Sequence, residues 1–388
     1  MSTMVDKKLL LIVDDEPAYI RLTNFILRDD YNIRIATSGV NALSLVQSAP
    51  MPDLILLDVE MPEMHGYDVC RRLKACPQTC DIPVIFLTGQ TQDQDETHGF
   101  EVGAVDYIHK PFSAAVVKAR VRTHILLREA RELLSRQLMA INNEMEMARE
   151  IQLCILPSDT PKIEGLDIAA RCIPMSAVAG DFYDFIPVDE RHLGILIADV
   201  SGHGLPAALI ASMLKVALSA QTPHAFDPAR VLAGLNQSLY GIFRRHYVTA
   251  AYLFVDLAKD IVSYAGAGHP PVLLWRKREG RAREFEENGL FLGLFPEATY
   301  SSIQLPLEVG DRLFLYTDGI LEFKSPAEEQ FGGDRLRQFI EANHGLGAGH
   351  LVETLISQLW RWSGQAPGLA QLDDITLLAM DIMSHKRP

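Results

Sequence analysis

The sequence predicts an α/β doubly wound N-terminal domain, a helical linker with a coiled-coil seam, and an α+β C-terminal domain. Three observations carry this prediction. Residues 8–125 alternate five strand-like apolar runs with amphipathic stretches, which implies a parallel sheet covered by helices on both faces. Residues 113–156 contain neither proline nor glycine, which permits one helix of unusual length. Beyond residue 157, strand-like and helical runs succeed one another without a strict βα repeat.

The bulk properties agree. A chain of 388 residues with 48% hydrophobic composition sustains two domains with proper cores, and 22% charged residues argue against wholesale disorder. The formal net charge of −14 repels both nucleic acid and anionic membranes, so neither is an expected partner and a transcription-factor output is disfavoured. Five cysteines (Cys70, Cys76, Cys80, Cys154 and Cys172) show no paired spacing of a zinc site or disulfide framework and read as reduced thiols. The start MSTMVDKKLLLIVDDE is not apolar for long enough to be a signal peptide, and no later run approaches about 18 apolar residues. A soluble, cytoplasmic protein is expected.

In the N-terminal region the strand-like runs are Leu9–Val13, Ile33–Ala36, Leu54–Leu57, Val84–Leu87 and Val105–Ile108. A doubly wound sheet carries its site at the carboxyl ends of its strands. Asp14 and Asp15 follow the first strand, Asp58 the third, Thr88 the fourth and Lys110 the fifth. Three converging carboxylates repel one another unless a divalent cation neutralises them, and a nearby lysine offsets the charge of an added phosphoryl group. That outlines a phosphoacceptor site. The segments IVDDE (12–16), LLDVEMPEMHGYD (56–68), LTG (87–89) and DYIHKPF (106–112) resemble the receiver domain of two-component response regulators, over residues 7–125. The resemblance implies that Asp58 is phosphorylated by a cognate histidine kinase or phosphotransfer protein. It makes Asp14, Asp15 and Asp58 ligands of Mg2+, Thr88 and Lys110 contacts of the phosphoryl oxygens, and Tyr107 the aromatic switch.

The linker spans residues 113–157 and overlaps both domains. Leu134, Leu138, Ile141, Met145, Ala148 and Ile155 repeat at spacings of four and three, interrupted by Gln152, as a short coiled-coil seam does. This predicts a homodimer through the linker helix; the competing reading packs the stripe on one domain. The domain boundary is expected near Ala140.

The C-terminal region is organised around ADVSGHG (198–204), where the apolar run Leu193–Ile197 meets a polar turn and then a small-residue helix. A carboxylate at the end of a buried strand is costly unless paired, hydrogen-bonded or metal-bound, so Asp199 needs a reason. Asp181 in AGDFYDF, Asp318 in LYTDGILEF, and Asp373 with Asp374 in DDITLL occupy similar edges. Aspartates beside small residues at several strand edges are how an oxygen-only site for hard divalent cations is assembled. Strand-like runs are Leu193–Asp199, Val248–Val255, Ile261–Tyr264, Val272–Trp275, Arg312–Tyr316 and Thr376–Met380; helical ones are Leu205–Ala220, Pro228–Phe243, Asp334–Asn343 and Leu351–Trp362. The charged segment 276–289 reads as a solvated hairpin or loop. No GxxxxGK[ST] occurs, so nucleotide hydrolysis has no support.

In this order AGDFYDF, ADVSGHG, AGAGHPPVLL, LYTDGILEF, FGGDRL and DDITLL resemble the SpoIIE/RsbU-type serine/threonine phosphatases of the protein phosphatase 2C (PPM) class, over about residues 145–383. The resemblance implies a two-sheet sandwich flanked by helices over residues 158–383, and a pair of Mn2+ or Mg2+ ions bridged by Asp199. Asp181 and the Val200 carbonyl would complete one ion, Asp318 and Asp373 the other, and Asp374 is either a further ligand or a strand cap. Water is the implied nucleophile, and His203 a candidate acid for the leaving serine oxygen. His269 reads as a structural turn residue. The departures, Ala179 for a second glycine and Asp334 for a glutamate, remove no ligand. The function implied is a response regulator whose phosphatase output is controlled by Asp58 and acts on a STAS-type anti-sigma-factor antagonist. The alternatives are a catalytically idle adaptor for a sigma factor or anti-sigma regulator, against which the retained aspartates speak, and a dimeric scaffold signalling through its receiver.

Overall fold

The structure is a computed structural model that describes residues 7–89, 99–242, 246–285, 288–364 and 371–384. The chain divides into two compact units, residues 1–140 and 141–388. Among the described residues, no helix is long and apolar enough to cross a membrane.

The first unit runs β1 (Leu9–Val13), α1 (Pro17–Leu27), β2 (Asn32–Ala36), α2 (Gly39–Val46), β3 (Leu54–Asp58), α3 (Gly66–Ala75), β4 (Val84–Thr88) and β5 (Asp106–His109). All neighbours pair in parallel in the order β2-β1-β3-β4-β5, the doubly wound α/β arrangement. Successive side chains of a strand point to opposite faces. Leu10, Ile12, Leu54 and Leu56 therefore enter one helical layer, while Leu11, Val13, Ile55 and Leu57 enter the other. Burial on both faces explains why these strands read as unbroken apolar runs.

Helix α4 (Ala114–Leu153) follows β5 and stops short of Pro157, which disfavours helical geometry in the residue before it. Its first turns bury Val117, Val121 and Ile125 against the parallel sheet. From there to its end, Gln152 is the one buried residue, while Leu134, Leu138 and Ile141 are more than half exposed.

The second unit runs β6 (Leu166–Ile173), β7 (Phe182–Asp189), β8 (His192–Val200), α5 (Leu205–Ser219), α6 (Pro228–Leu239), β9 (Val248–Asp256), β10 (Ile261–Ala267), β11 (Val272–Arg276), β12 (Arg281–Phe285), β13 (Asn288–Gly289), β14 (Ile303–Pro306), β15 (Arg312–Tyr316), α7 (Asp318–Leu321), α8 (Gly332–Ala342), α9 (Ala348–Ser363) and β16 (Ile375–Ile382). One sheet has the order β13-β10-β9-β8-β7 with β14 also on β10; the other is β12-β11-β15-β16-β6. The two face each other through Ile195, Ile197, Leu253, Leu313, Leu378 and Met380. Helices α5 and α6 cover the outer face of the first sheet, where Leu196, Ala198 and Tyr252 meet Leu214 and Leu235. Helices α8 and α9 cover the second, where Phe314, Leu377 and Ala379 meet Leu336, Leu351 and Leu355. The result is a four-layered α+β sandwich.

One local reading of the sequence is narrowed and two need correction. Of the two readings of segment 276–289, hairpin and loop, the hairpin holds: β12 pairs antiparallel with β11, and Ala282 and Phe285 are buried rather than solvated. Residues 286–287 lie outside the described residues. The helix expected to reach Phe243 ends at Leu239, because Tyr240 adopts extended ψ; Phe243 itself lies outside the described residues. Strands β6 and β7 escaped the apolar-run reading because polar residues interrupt them: Asp167 and Arg171 on exposed positions of β6, and in β7 the buried Asp184 and the exposed Pro187.

Candidate phosphoacceptor site and metal centre

In the first unit, parallel pairing brings the carboxyl ends of β1, β3, β4 and β5 to one edge of the sheet, where Asp14, Asp58, Thr88 and Lys110 are all placed. Asp14 and Asp58 are almost fully buried, at 0% and 4% exposure. Lys110 Nζ lies 2.8 Å from Asp14 Oδ2 and 3.0 Å from Asp58 Oδ2, and stands over the Tyr19 ring at 4.1 Å. Burial lifts the Asp58 carboxyl to about 6; the Lys110 ammonium opposes that rise and the neighbouring Asp14 charge adds to it. Burial works against the Lys110 charge too, but its two carboxylate partners outweigh it and hold its pKa above the ordinary value.

Asp14, Asp15 and Asp58 present oxygens all within 4.8 Å of one another, and among the described residues they are the only such group of three or more. An all-oxygen set of this kind fits a hard divalent cation. The Glu16 N–H donates to Asp14 Oδ1 at 2.9 Å and fixes its rotamer. Gly66 is required here: a β-carbon on it would lie 2.2 Å from the Asp58 carbonyl oxygen. Tyr107 is half-buried on β5, its ring edge-on to Phe100 at 5.8 Å and to His109 at 5.1 Å.

In the second unit the logic is antiparallel. Such pairing sets the start of one strand beside the end of its neighbour. Asp181, just before β7, therefore comes beside Asp199, near the end of β8, with Phe182 opposite Ala198. In the other sheet, Asp318 follows β15 and Asp373 and Asp374 precede β16, with Tyr316 opposite Leu377. Their charges register on one another across the two sheets. Asp199 is raised to about 7 by burial first, then by repulsion from Asp318, Asp373 and Asp374. Asp181 is raised well above the usual carboxylate range by burial and then by Asp199 and Asp374. Burial, Asp373 and Glu322 raise Asp318. Carboxylates that suppress one another's ionisation form a site that positive charge would stabilise, and every donor is an oxygen, so the residues fit a pair of hard cations. These groups are spaced more widely than the trio of the first unit.

Close packing holds the turns together within each sheet. A β-carbon on Gly319 would lie 1.9 Å from the Asp374 carbonyl oxygen, and one on Gly180 would lie 3.1 Å from the Val200 carbonyl oxygen. Asp374 is buried and accepts from the N–H groups of Met175 at 2.7 Å and Gly180 at 2.5 Å. Its oxygens thus hold two points of the segment that leads into Asp181. Asp373 accepts from the Asp374 N–H at 2.8 Å and stays partly exposed. His203 is exposed, on a turn whose flanking glycines both need positive φ (Gly202 at 91°, Gly204 at 75°). His269 is buried and shares a hydrogen bond with the Thr249 hydroxyl at 3.0 Å.

Sequence reasoning passed over several residues at the site. Thr317 donates from its hydroxyl to Asp181 Oδ2 at 2.7 Å and accepts from the Thr376 N–H at 3.0 Å. Glu322 adds negative charge near Asp199 and Asp318; its position four residues after Asp318, one helical turn on, was the available signal. Gln152, read as an interruption of the heptad seam, is hydrogen-bonded to Ala179.

A parallel sheet with an aspartate trio, two of them clamped by a lysine, joined in one chain to a helix-flanked double sheet with aspartates at its strand ends, defines the class: a receiver fused to a phosphatase-type sandwich. The chain belongs to the SpoIIE family, whose model, Stage II sporulation protein E (SpoIIE), matches residues 189–383; the response regulator receiver domain model matches residues 10–122. Phosphoserine phosphatase RsbU of Bacillus subtilis (strain 168) is 33% identical over 186 residues, 48% of this chain and 55% of that protein. Phosphoserine phosphatase RsbP of the same organism is 33% identical over 184 residues, 46% of this chain and 45% of that protein. The SiaA-PP2C domain of Pseudomonas aeruginosa shares the fold, with a TM-score of 0.56 and 24% identity over 63% of this chain and 98% of that one. The chain spans about half the length of the curated relatives it matches.

Proposed function

We propose that the chain is a two-component response regulator whose output is a metal-dependent protein serine/threonine phosphatase, controlled by phosphorylation of Asp58. The observation that carries this reading is the set of buried and half-buried, mutually repelling aspartates gathered at the strand ends of two sheets, in a chain similar to two phosphoserine phosphatases. Asp181, Asp199, the Val200 carbonyl, Asp318 and Asp373 would hold two Mn2+ or Mg2+ ions. Such ions supply positive charge for a phosphomonoester dianion and acidify water. The protein's own part is positional. Asp374 fixes the turn that carries Asp181, Thr317 orients the Asp181 carboxylate, and Gly319 lets the Asp318 turn close on Asp374. His203, exposed on its turn, would donate a proton to the departing serine or threonine oxygen.

In the receiver, residues 7–125, Asp14, Asp15 and Asp58 would hold Mg2+. Asp58 would accept a phosphoryl group from a histidine kinase or phosphotransfer protein. The new charge would draw Thr88 and Lys110 towards it and shift Tyr107. The phosphatase substrate would be a phosphoserine or phosphothreonine on a STAS-type anti-sigma-factor antagonist, and linker residues 113–157 would pair two chains. The test is manganese-dependent release of phosphate from phosphorylated regulators of the same genome, measured with and without Asp58 phosphorylation. Release that needs manganese and changes with Asp58 phosphorylation is expected; no release under any condition overturns the reading in favour of an adaptor.

A further inference from the structure

From Leu126 to Leu153 the long helix α4 buries a single side chain, and it is a glutamine. Its flanking apolar neighbours Ile151 and Leu153 are 65% and 56% exposed, and apolar contact with the core resumes only past the helix end, at Ile155 and Leu156. The Gln152 carboxamide instead makes a two-point bond to one residue. Its Nε2 donates to the Ala179 carbonyl at 2.5 Å, and its Oε1 accepts from the Ala179 N–H at 2.9 Å. Ala179 is itself buried, at 1% exposure. The next N–H along, that of Gly180, donates to Asp374 Oδ2, and the residue after that is Asp181.

We propose that Gln152 is a positioning residue of the metal centre, whose two hydrogen bonds to the Ala179 peptide groups set where the Asp181 carboxylate stands. The inference rests on the metal-centre reading given above. Three features support it. A paired donor and acceptor fix both the distance and the rotation of the Ala179 backbone, as a rung of a β-ladder does, whereas an apolar contact permits sliding. Both groups of Ala179 are shielded from water, so once Gln152 is lost neither has a ready replacement. Asp181 is two residues away on a turn whose other hold, Asp374, grips the adjacent peptide, so the turn is clamped at consecutive residues by groups from opposite ends of the domain's sequence. Gln152 therefore acts on Asp181 through the backbone, without touching the reacting atoms.

The experiment is a manganese titration of the full chain followed by the electron paramagnetic resonance signal of free Mn2+, for wild type, Gln152→Ala and the exposed neighbour Ile151→Ala. Gln152→Ala should bind manganese at least tenfold more weakly with unchanged far-ultraviolet circular dichroism, and Ile151→Ala should bind as wild type does. Phosphatase turnover of Gln152→Ala should recover when manganese is raised, with the KM for p-nitrophenyl phosphate unchanged; a purely structural loss would not be rescued by the ion. Should the alanine variant fail to fold, Gln152→Glu decides: it keeps the acceptor for the Ala179 N–H, loses the donor to the carbonyl, and should show the same weakened binding. Wild-type binding with a folded Gln152 variant indistinguishable from it overturns the inference alone. A wild-type chain that takes up no manganese in the second unit, tested with the receiver trio removed by Asp14→Asn and Asp15→Asn, overturns the metal-centre reading and the inference with it.

Discussion

The hydroxyl of Thr317 donates to a carboxylate oxygen of Asp181 at 2.7 Å, joining two turns that are 136 residues apart in the chain and belong to different sheets. The bond favours the charged form of a carboxylate that burial and two neighbouring aspartates oppose. Thr317→Val keeps the shape and removes the donor. A hydrogen bond to a charged group contributes about 1.5–3 kcal/mol, so urea denaturation of the metal-free variant should show a loss of that order. Manganese affinity should fall with it. An unchanged denaturation midpoint and unchanged metal uptake would contradict the role.

Asp199→Asn, Asp318→Asn and Asp373→Asn should each abolish manganese-dependent turnover. Their effect on the metal-free fold should run the other way for Asp199. Its folded pKa of about 7 lies above the ordinary carboxylate value, so near pH 8 the ionised form is held against burial and like-charge repulsion. Neutralising it should leave the melting temperature of metal-free protein equal or higher. Asp374→Asn should differ, because this side chain accepts from two backbone N–H groups and its loss should lower the melting temperature. Retained turnover in folded Asp199→Asn would sink the ligand assignment; inactivity of Asp374→Asn alone would move the ligand to Asp374.

Two glycines should tolerate no side chain. Gly66→Ala would put its β-carbon 2.2 Å from the Asp58 carbonyl and Gly319→Ala 1.9 Å from that of Asp374. Both contacts are with backbone, which has no rotamer to give. Each substitution should cost roughly 1–3 kcal/mol through backbone displacement, with Gly66→Ala slowing phosphorylation of Asp58 by acetyl phosphate and Gly319→Ala weakening manganese uptake. A wild-type rate in the first and wild-type uptake in the second would show that the turns yield freely.

Much of this arrangement was legible in the sequence. The receiver strands announce themselves as apolar runs because both faces are buried, and Asp14, Asp58, Thr88 and Lys110 follow from the rule that places sites at strand ends. Asp199 stood out because it ends such a run. Harder to read were β6 and β7, where Arg171, Asp184 and Pro187 interrupt the apolar pattern, and the contribution of Thr317, a residue type that gives no signal until its partner is in view. Gln152 was visible as an exception to the heptad, but an exception does not name its contact. The pairing of Asp181 with Asp374 depends on which strands are neighbours, and that order is a property of the whole sandwich.

His269 gives a pH dependence of defined sign. Burial holds its folded pKa down at about 3, against an ordinary value of 6.5. A depressed pKa means that the full stabilisation is present above pH 6.5 and is lost as the pH falls from there towards 3. Between those limits the stability of wild type should fall relative to His269→Gln by up to about 1.4 kcal/mol per pH unit. Chemical denaturation of both proteins at pH 7.5 and 5.5 measures the difference, and parallel pH profiles would refute it.

The linker prediction is tested by charge. Leu138→Glu with Met145→Glu places carboxylates in the presumed seam, at positions where Leu138 is 52% exposed in the single chain and so free to be covered by a second copy. The variant should sediment as a monomer and lose its response to beryllofluoride at Asp58, with beryllofluoride binding itself unchanged. A monomeric variant with a normal response would exclude pairing as the route.

Strand β8 is paired along both edges as far as Ala198, and its side chains alternate between two separate apolar layers: Leu193, Ile195 and Ile197 between the sheets, Leu196, Ala198 and Val200 beneath the helices. Releasing any one of its amides to solvent therefore requires both layers to come apart at once. Asp199 and Val200 hang from a segment whose amide protons should exchange only at the limit set by global unfolding, while the turn that begins one residue later is glycine-rich and solvent-facing. Such a stem would hold the Asp199 carboxylate and the Val200 carbonyl in place while the peptide beside them rearranges.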